Sequence, residues 1–141
     1  MALLPDTATD ESGAISVAMT PTQPNKTYKM MIDTDRIQGT ITDDLEAVKQ
    51  AIYKIINTER YKFLIYSWDY GIELEDLFGK PIPYVLPEIP RRIKEALTQD
   101  DRIDDVLGFD LSYDRKGNVL AKFTVVTIYG SVEVEKVVNV A

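Results

Sequence analysis

The chain has 141 residues, of which 45% are apolar, and its 16 basic and 23 acidic residues give a net charge of −7. This length predicts one domain with enough apolar residues for a core, and the excess of acidic residues argues against binding to nucleic-acid phosphate. The chain contains no cysteine and no histidine, which excludes disulfide scaffolds, thiol nucleophiles, zinc-finger ligand sets and any Ser-His-Asp triad.

Residues 1–26 are polar, with scattered proline, glycine, serine and threonine. This composition predicts a flexible N-terminal arm, followed by a single domain over residues 27–141. An alternative is an arm that orders along a neighbouring subunit through Ile15, Val17 and Met19. The opening residues are too acidic for a secretory signal, and no run reaches the roughly 18 apolar residues of a membrane span. We therefore expect a soluble protein that is made in the cytoplasm.

A β-hairpin and a helix are predicted after the arm. Residues 27–32 and 36–40 are predicted to be its strands, with residues 33–35 as the turn. Thr42 or Asp43 is predicted to cap the helix that follows. The apolar residues of this helix recur at helical spacing and form one wide stripe: Leu45, Val48, Ala51, Ile52, Ile55 and Ile56.

The segment after this helix contains the only tryptophan of the chain. Residues 61–68 (YKFLIYSW) are rich in aromatic and β-branched residues, which predicts a short strand or extended segment. Residues 72–78 are predicted to form a short helix that Gly79 ends in the left-handed conformation. A second long helix is predicted from residue 83 or 86 to residue 98. Its regular part is predicted to begin at Pro87 or Pro90, since proline is unfavourable inside a helix.

The last third of the chain alternates with a period of two residues. It predicts strands over residues 103–113, 119–129 and 131–140. The middle strand has apolar residues on both faces, which predicts a central strand covered on both sides, and the last strand is predicted to be an edge. The predicted fold class is therefore α+β: an N-terminal β-hairpin, two main helices plus a short one, and a C-terminal three-stranded antiparallel meander.

Carboxylate pairs are the only candidate catalytic groups. Asp69 with Glu73, or Glu73 with Asp76, could serve glycoside hydrolysis, which needs two facing carboxylates and a raised pKa on one of them. No sequence feature predicts the apolar pocket that would raise it. Acidic residues near a helix start are usually solvated, so the chain is predicted not to be an enzyme. A lysozyme-like cell-wall glycosidase of a tail is kept as the alternative function.

A second acidic cluster lies between the last predicted helix and the first strand of the meander. Its members are Asp100, Asp101, Asp104 and Asp105. The spacing lacks the central glycine and terminal glutamate of a calcium-binding EF-hand loop, and Arg102 lies in its middle. We therefore interpret this cluster as an acidic connection and predict no metal or cofactor site.

Two features point to contacts with other subunits. Glu59, Arg60 and Arg102 could form a surface ion pair of small worth or a network at a subunit interface, and both interpretations stay open. The last strand could be a protected edge or could accept a strand of another chain. Its alternating residues with a common face are Val132, Val134, Lys136 and Val138.

The order of these elements resembles the phage baseplate wedge family that initiates the contractile sheath (the GPW family). It resembles most the branch from prophages and phage-tail-like particles of Gram-positive bacteria. The resemblance covers residues 26–138 and is carried by Lys26-Thr27-Tyr28, Ile37-Gln38-Gly39, residues 47–56 and, above all, residues 57–80. Thr58, Glu59, Arg60, Tyr70 and Gly71 match its Thr…Glu-Arg and Tyr-Gly motifs. Asp100-Asp101-Arg102-Ile103 occupies the place of the family's Glu-Pro-Arg-Ile element, from which it departs at the first two residues.

The resemblance implies a non-enzymatic baseplate protein whose fold is similar to the conserved core of a sheath subunit. Its exposed terminal strands and arm would accept strands of the first sheath ring. The implied partners are the sheath protein, other wedge proteins and tube or hub proteins, with about six copies per particle, and neither nucleic acid nor membrane. The implied location is the host cytoplasm during assembly and then the baseplate.

Overall fold

The computed structural model describes residues 26–41 and 43–141. Residues 1–25, with Ile15, Val17 and Met19, and the alternative cap Thr42 lie outside the described residues. The elements in chain order are β1 (Thr27–Met31), a 3-10 turn (Ile32–Thr34), β2 (Arg36–Ile41), α1 (Asp44–Ile56), a second 3-10 turn (Glu75–Leu77), α2 (Ile82–Leu97), β3 (Ile103–Tyr113), β4 (Asn118–Thr127) and β5 (Gly130–Asn139). The predicted α+β architecture is confirmed.

Helix α1 forms where the apolar periodicity predicts it. Asp43 is its N-cap, and the carboxylate of Asp43 accepts a hydrogen bond of 2.9 Å from the backbone N–H of Leu45, which satisfies one of the free amides of the first turn. One face of the helix is buried in the core: Ala47, Val48, Ile52, Ile55 and Ile56. Asn57 ends the helix, and its side-chain amide donates to the Tyr53 carbonyl at 2.8 Å.

Helix α2 begins at Ile82, before the start that the prolines predict, and Pro87 and Pro90 lie inside it. The side chains of Val85, Ile89 and Ile93 are completely buried. Each interior proline costs about 3 kcal/mol or more, whereas burying an aliphatic side chain contributes about 1.5–3 kcal/mol. Burial of the whole apolar stripe, which includes Ala96 and Leu97, therefore offsets the two missing backbone donors.

The C-terminal sheet is antiparallel with the order β3-β4-β5. Strand β4 is central, as predicted, but the prediction that it is covered on both sides is wrong. Alternate residues of β4, including Val119, Phe123 and Val125, are buried in the core that they share with both helices. The other face is only partly buried, and there Lys122 forms an exposed ion pair with Glu135 at 3.5 Å. Both helices pack against the first of these faces, which leaves the second without such cover in the described structure.

Residues 61–68 do not form the strand that their composition predicts. The backbone follows a series of turns and bends, and Tyr61 has a φ of +67°, in the left-handed region. No strand of the described sheets pairs with this segment, and β propensity is expressed only where neighbours pack on the strand. The short helix predicted over residues 72–78 is reduced to one 3-10 turn at Glu75–Leu77. Gly79 adopts the predicted left-handed conformation, with a φ of +78°.

Candidate functional site: the outer edge of the C-terminal sheet

Strand β5 lies at one edge of the C-terminal sheet. Val140 donates its backbone N–H to the Gly117 carbonyl at 2.9 Å, and the register pairs Val119 with Val138. Because hydrogen-bonding direction alternates along an antiparallel strand, the even-numbered residues of β5 point their backbone groups at β4. The backbone groups that point away from β4 belong to Ser131, Glu133, Glu135, Val137 and Asn139.

These outward backbone groups have no backbone hydrogen-bond partner within the part of the chain that the structure describes. Beside the second half of β5 runs a groove of about 260 Å³, between residues 136–139 and the segment from Ile56 to Phe78. Phe78 is half-exposed there. An unpaired strand edge beside an open groove can accept an extended segment of another chain.

Glu59 and Lys136 line this groove from opposite sides. The Glu59 carboxylate accepts from the backbone N–H groups of Leu74 at 2.9 Å and Glu75 at 3.1 Å. Lys136 donates from Nζ to the Asn57 side-chain oxygen at 2.8 Å. Burial lowers the pKa of Lys136, and the charge of Glu59 only partly opposes this shift. The groove therefore holds a partly desolvated cation whose direct partner is a neutral amide.

The valines predicted as interface residues face the core. Val132 and Val138 are buried, and Val134 is partly buried against the same cluster. Their side chains hold β5 on the helices, while its backbone and the side chains of Glu133, Glu135 and Val137 face outward. A contact between the valines and another subunit stays a prediction.

The segment between residues 58 and 72 is closed by backbone pairing of Glu59 with Ile72. Ile72 donates its N–H to the Thr58 carbonyl at 2.9 Å, and Arg60 donates its N–H to the Ile72 carbonyl at 3.1 Å. Gly71 has a φ of +97°, and a Cβ atom at this position would lie 2.6 Å from the Thr58 carbonyl oxygen. Only glycine fits this close backbone approach, which explains the Tyr-Gly pair in the sequence.

Arg60 fastens this closed segment to α2. Its guanidinium is buried and donates to the Gly71 carbonyl at 3.3 Å, to Glu73 at 3.3 Å and to Glu95 of α2 at 3.0 Å. Burial lowers the pKa of Arg60, but its hydrogen bond and the charges of both carboxylates outweigh burial and raise the pKa overall. Arg60 therefore stays charged and joins residues far apart in the sequence.

Arg102 forms an ion pair with Asp100, separate from the ion pairs of Arg60. Asp100 accepts from the backbone N–H, Nε and Nη2 of Arg102 at 3.0, 2.9 and 2.7 Å. Both side chains are nearly buried, at 11% and 12% exposure. Burial raises the pKa of Asp100, but the hydrogen bonds and charge of Arg102 outweigh it and lower the pKa overall. Glu59, Arg60 and Arg102 thus each fasten a different connection, and their predicted role at a subunit interface stays a prediction.

Sequence reasoning missed a further buried arginine, Arg92 in α2. It donates to the Glu73 carbonyl at 2.9 Å and to both oxygens of Asp76, and it also pairs with Glu88 at 3.2 Å. Only the spacing of four residues between Glu88 and Arg92 could have suggested this role. Arg92 holds the 3-10 turn at Glu75–Leu77 against α2.

Two of the three carboxylates considered for catalysis, Glu73 and Asp76, are engaged in these ion pairs. Glu73 pairs with Arg60, and the hydrogen bond from Arg92 lowers the pKa of Asp76, which is the opposite of what a general acid needs. Asp69 lies on a different cleft, with Asp100, Asp101 and Arg102. Among the described residues no group of three or more acidic side chains is arranged to hold a metal ion, and no helix there is long and apolar enough to cross a membrane.

The part of the chain that the structure describes has an α+β core with an open strand edge, as the sequence resemblance implies. The family model for contractile injection system sheath initiators matches residues 24–130, and the chain belongs to this family. A curated relative, phage-like element PBSX protein XkdS of Bacillus subtilis strain 168, is 35% identical over 143 residues, which cover 99% of this chain and 98% of the relative. The resemblance found in the sequence is confirmed.

Proposed function

We propose that this chain is a structural, non-enzymatic component of the baseplate wedge of a contractile tail, from which the sheath starts to grow. Membership of the sheath initiator family supports the role in sheath initiation. The similarity to a protein of a phage-like element favours a prophage or phage-tail-like particle as the setting. The chain would be made in the host cytoplasm and then occupy the baseplate, beside other wedge proteins and tube or hub proteins, in about six copies.

The mechanism that we propose is strand addition at the outer edge of β5. The observation that carries it is the row of backbone groups from Ser131 to Asn139 that point away from β4. A strand from the first sheath ring would pair with these groups, and each new hydrogen bond would contribute about 0.5–1.5 kcal/mol. The groove beside residues 136–139 offers room for the side chains of that strand.

The core-facing residues of β5 and the three connection residues have supporting roles in this proposal. Val134 and Val138 pack on the core, Val132 is buried, and Lys136 donates to Asn57 at the end of α1. These contacts keep β5 in place, so that its edge is already extended when a partner arrives. Such preorganisation reduces the conformational entropy lost on binding. Glu59, Arg60 and Arg102 would keep the connections rigid where the chain contacts the rest of the wedge.

The experiment places a proline at an outward-facing position of β5. In Glu135→Pro the lost N–H points away from β4, so the ladder within the protein stays intact while the outer edge can no longer pair fully. We expect this variant to fold, as judged by circular dichroism, and to be incorporated into baseplates that carry no sheath in electron micrographs. Glu135→Gln, which removes only the charge, should support normal sheath.

A matched edge control is Tyr113→Pro in β3. Asp114 donates its N–H to the Asn118 carbonyl at 3.0 Å, so the preceding residue points its backbone away from β4 on the opposite edge of the sheet. This variant should keep sheath growth. Full-length sheath on Glu135→Pro baseplates, or equal loss of sheath in both proline variants, would contradict strand addition at β5.

A further inference from the structure

The loop of residues 61–70, which we call the aromatic loop, carries a cluster of exposed apolar side chains. Leu64, Ile65 and Trp68 are 103%, 85% and 81% exposed. Phe63 is half-exposed beside them. Contiguous apolar patches on a protein surface commonly mark sites of contact with another molecule, and tryptophan is enriched among the residues that dominate such contacts.

The aromatic loop is held in shape by its own side chains. The rings of Tyr61 and Trp68 meet edge to face at 5.9 Å, and Tyr66 stacks on Tyr70 at 4.6 Å. Between them is a depression of about 150 Å³, whose lining includes Phe63 and Leu64. A shaped depression in a preorganised apolar surface suits an apolar anchor side chain of a partner.

A larger cleft of about 450 Å³ adjoins the loop and shares Ser67 with the depression. It is lined by Asp69, Asp100, Asp101 and Arg102 among others. Asp100 and Arg102 pair with each other at 2.7 Å. Asp69 and Asp101 form no salt bridge with the described residues, although the negative charge of Asp101 adds to the raised pKa of Arg102. The apolar surface is therefore flanked by two carboxylates that are available to a basic partner.

We infer that the aromatic loop docks a basic, amphipathic segment of another baseplate protein. Its apolar side chains would cover Leu64, Ile65 and Trp68, and its lysine or arginine side chains would face Asp69 and Asp101. This inference rests on the proposed function, because it takes the chain to work inside a baseplate. It names a surface separate from the β5 edge and the chemistry of its partner.

The negative charge of Asp69 and Asp101 favours a basic partner segment over three other possible occupants of the aromatic loop. A second copy of the chain has a net charge of −7 and would bring more negative charge to Asp69 and Asp101. Residues 1–25 contain three acidic and no basic side chains, so the same argument disfavours the N-terminal part of the chain itself. An anionic lipid surface would also be repelled.

The test uses Trp68, which is the only tryptophan and therefore reports on the loop alone. The full chain is titrated with a leucine–lysine amphipathic peptide of about 18 residues, long enough to form a helix on binding, and with a leucine–glutamate peptide of the same pattern. We expect a saturable blue shift of Trp68 emission with the basic peptide, and affinity about tenfold or more above that for the acidic peptide.

Three variants locate the binding surface. Leu64→Ser combined with Ile65→Ser should abolish the shift, and Asp69→Asn combined with Asp101→Asn should remove most of the preference for the basic peptide. Ile37→Ser, which removes a 69% exposed side chain from the distant hairpin, is the matched control and should bind like the unaltered chain. Equal binding of both peptides, no shift with either, or full binding by the Leu64 and Ile65 variant would overturn the inference.

Measurements without peptide test the other occupants. A blue shift on adding zwitterionic lipid vesicles, a shift that grows with protein concentration alongside dimers in sedimentation, or a red shift on deleting residues 1–25 would each overturn the inference. The sheath assay on Glu135→Pro is independent of Trp68. Failure of peptide binding together with loss of sheath in that variant would refute only the docking surface, and the converse result would refute only strand addition at β5.

Discussion

The pair of Asp100 and Arg102, which closes the connection between α2 and β3, offers a quantitative test of a nearly buried ion pair. The change is Asp100→Asn, which keeps the shape of the side chain but removes its charge. Arg102 then keeps a nearly buried cation with one acceptor oxygen fewer. Hydrogen bonds to charged groups contribute about 1.5–3 kcal/mol each, and breaking a buried pair costs about 3–5 kcal/mol. Because both groups retain some contact with water, we expect a loss of about 2–4 kcal/mol at neutral pH.

The pH dependence follows from the lowered pKa of Asp100. The folded-state pKa lies below the unfolded value of about 3.9, so the stabilisation is complete above that value and is lost as pH falls through the folded-state pKa. The unaltered chain and Asp100→Asn should therefore converge in stability in acid. Urea unfolding followed by far-ultraviolet circular dichroism at pH about 7 and about 3 measures the difference.

Asp101→Asn is the control, since it makes the same chemical change at an exposed carboxylate without a salt bridge. It should change the free energy of unfolding by no more than about 0.5 kcal/mol. A loss below about 0.5 kcal/mol for Asp100→Asn at neutral pH, or a loss that does not shrink at all in acid, would refute the reasoning.

Two further substitutions test the connections around the core. Gly71→Ala places a Cβ atom 2.6 Å from the Thr58 carbonyl oxygen at a φ of +97°, and should lower the free energy of unfolding by about 2–4 kcal/mol. The control Gly39→Ala has a positive φ but open space around it, and should lower the free energy of unfolding by only about 1–2 kcal/mol. Equal urea midpoints for the two variants would count against the close approach at Gly71. Gln50 accepts from the Met30 N–H at 2.9 Å and donates to the Tyr28 carbonyl at 2.7 Å, so Gln50→Ala should speed hydrogen exchange at the Met30 amide while leaving exchange at Val125 unchanged. Unaltered exchange at Met30 would show that the hairpin is held in another way.

The sequence predicted those elements whose cause is local. The periodic stripe of α1 and the alternation in β3, β4 and β5 gave these elements their type and order, because one face of each is buried. Gly79 was predicted from the left-handed conformation that ends a helix. The pairing chemistry of arginine, and then the family resemblance, placed Glu59, Arg60 and Arg102 among the candidate residues but could not assign their partners.

The errors arise where tertiary contacts decide. The alternative start of α2 at residue 83 lies one residue from the observed start, but its regular part was predicted to begin too late, at Pro87 or Pro90. The burial of Val85 and Ile89 offsets a helix penalty that is visible in the sequence. Residues 61–68 have the composition of a strand but no strand beside them. The pairing of Arg60 with Glu95 joins residues 35 positions apart, and no local pattern specifies which of the many carboxylates an arginine will meet.

The far end of β5 is clasped on both sides of Val140. Its N–H donates to Gly117 at 2.9 Å, its carbonyl accepts from the Gly79 N–H at 2.6 Å, and its side chain is 3% exposed. Another chain can pair with the outer edge of this strand without disturbing these contacts. If β5 instead left its own sheet to join the sheet of another subunit, both hydrogen bonds would break and the Val140 side chain would leave the core. If polymer growth starts at β5, this asymmetry gives it polarity: the molecule acts as an origin for the chain of subunits and is not itself a repeating link.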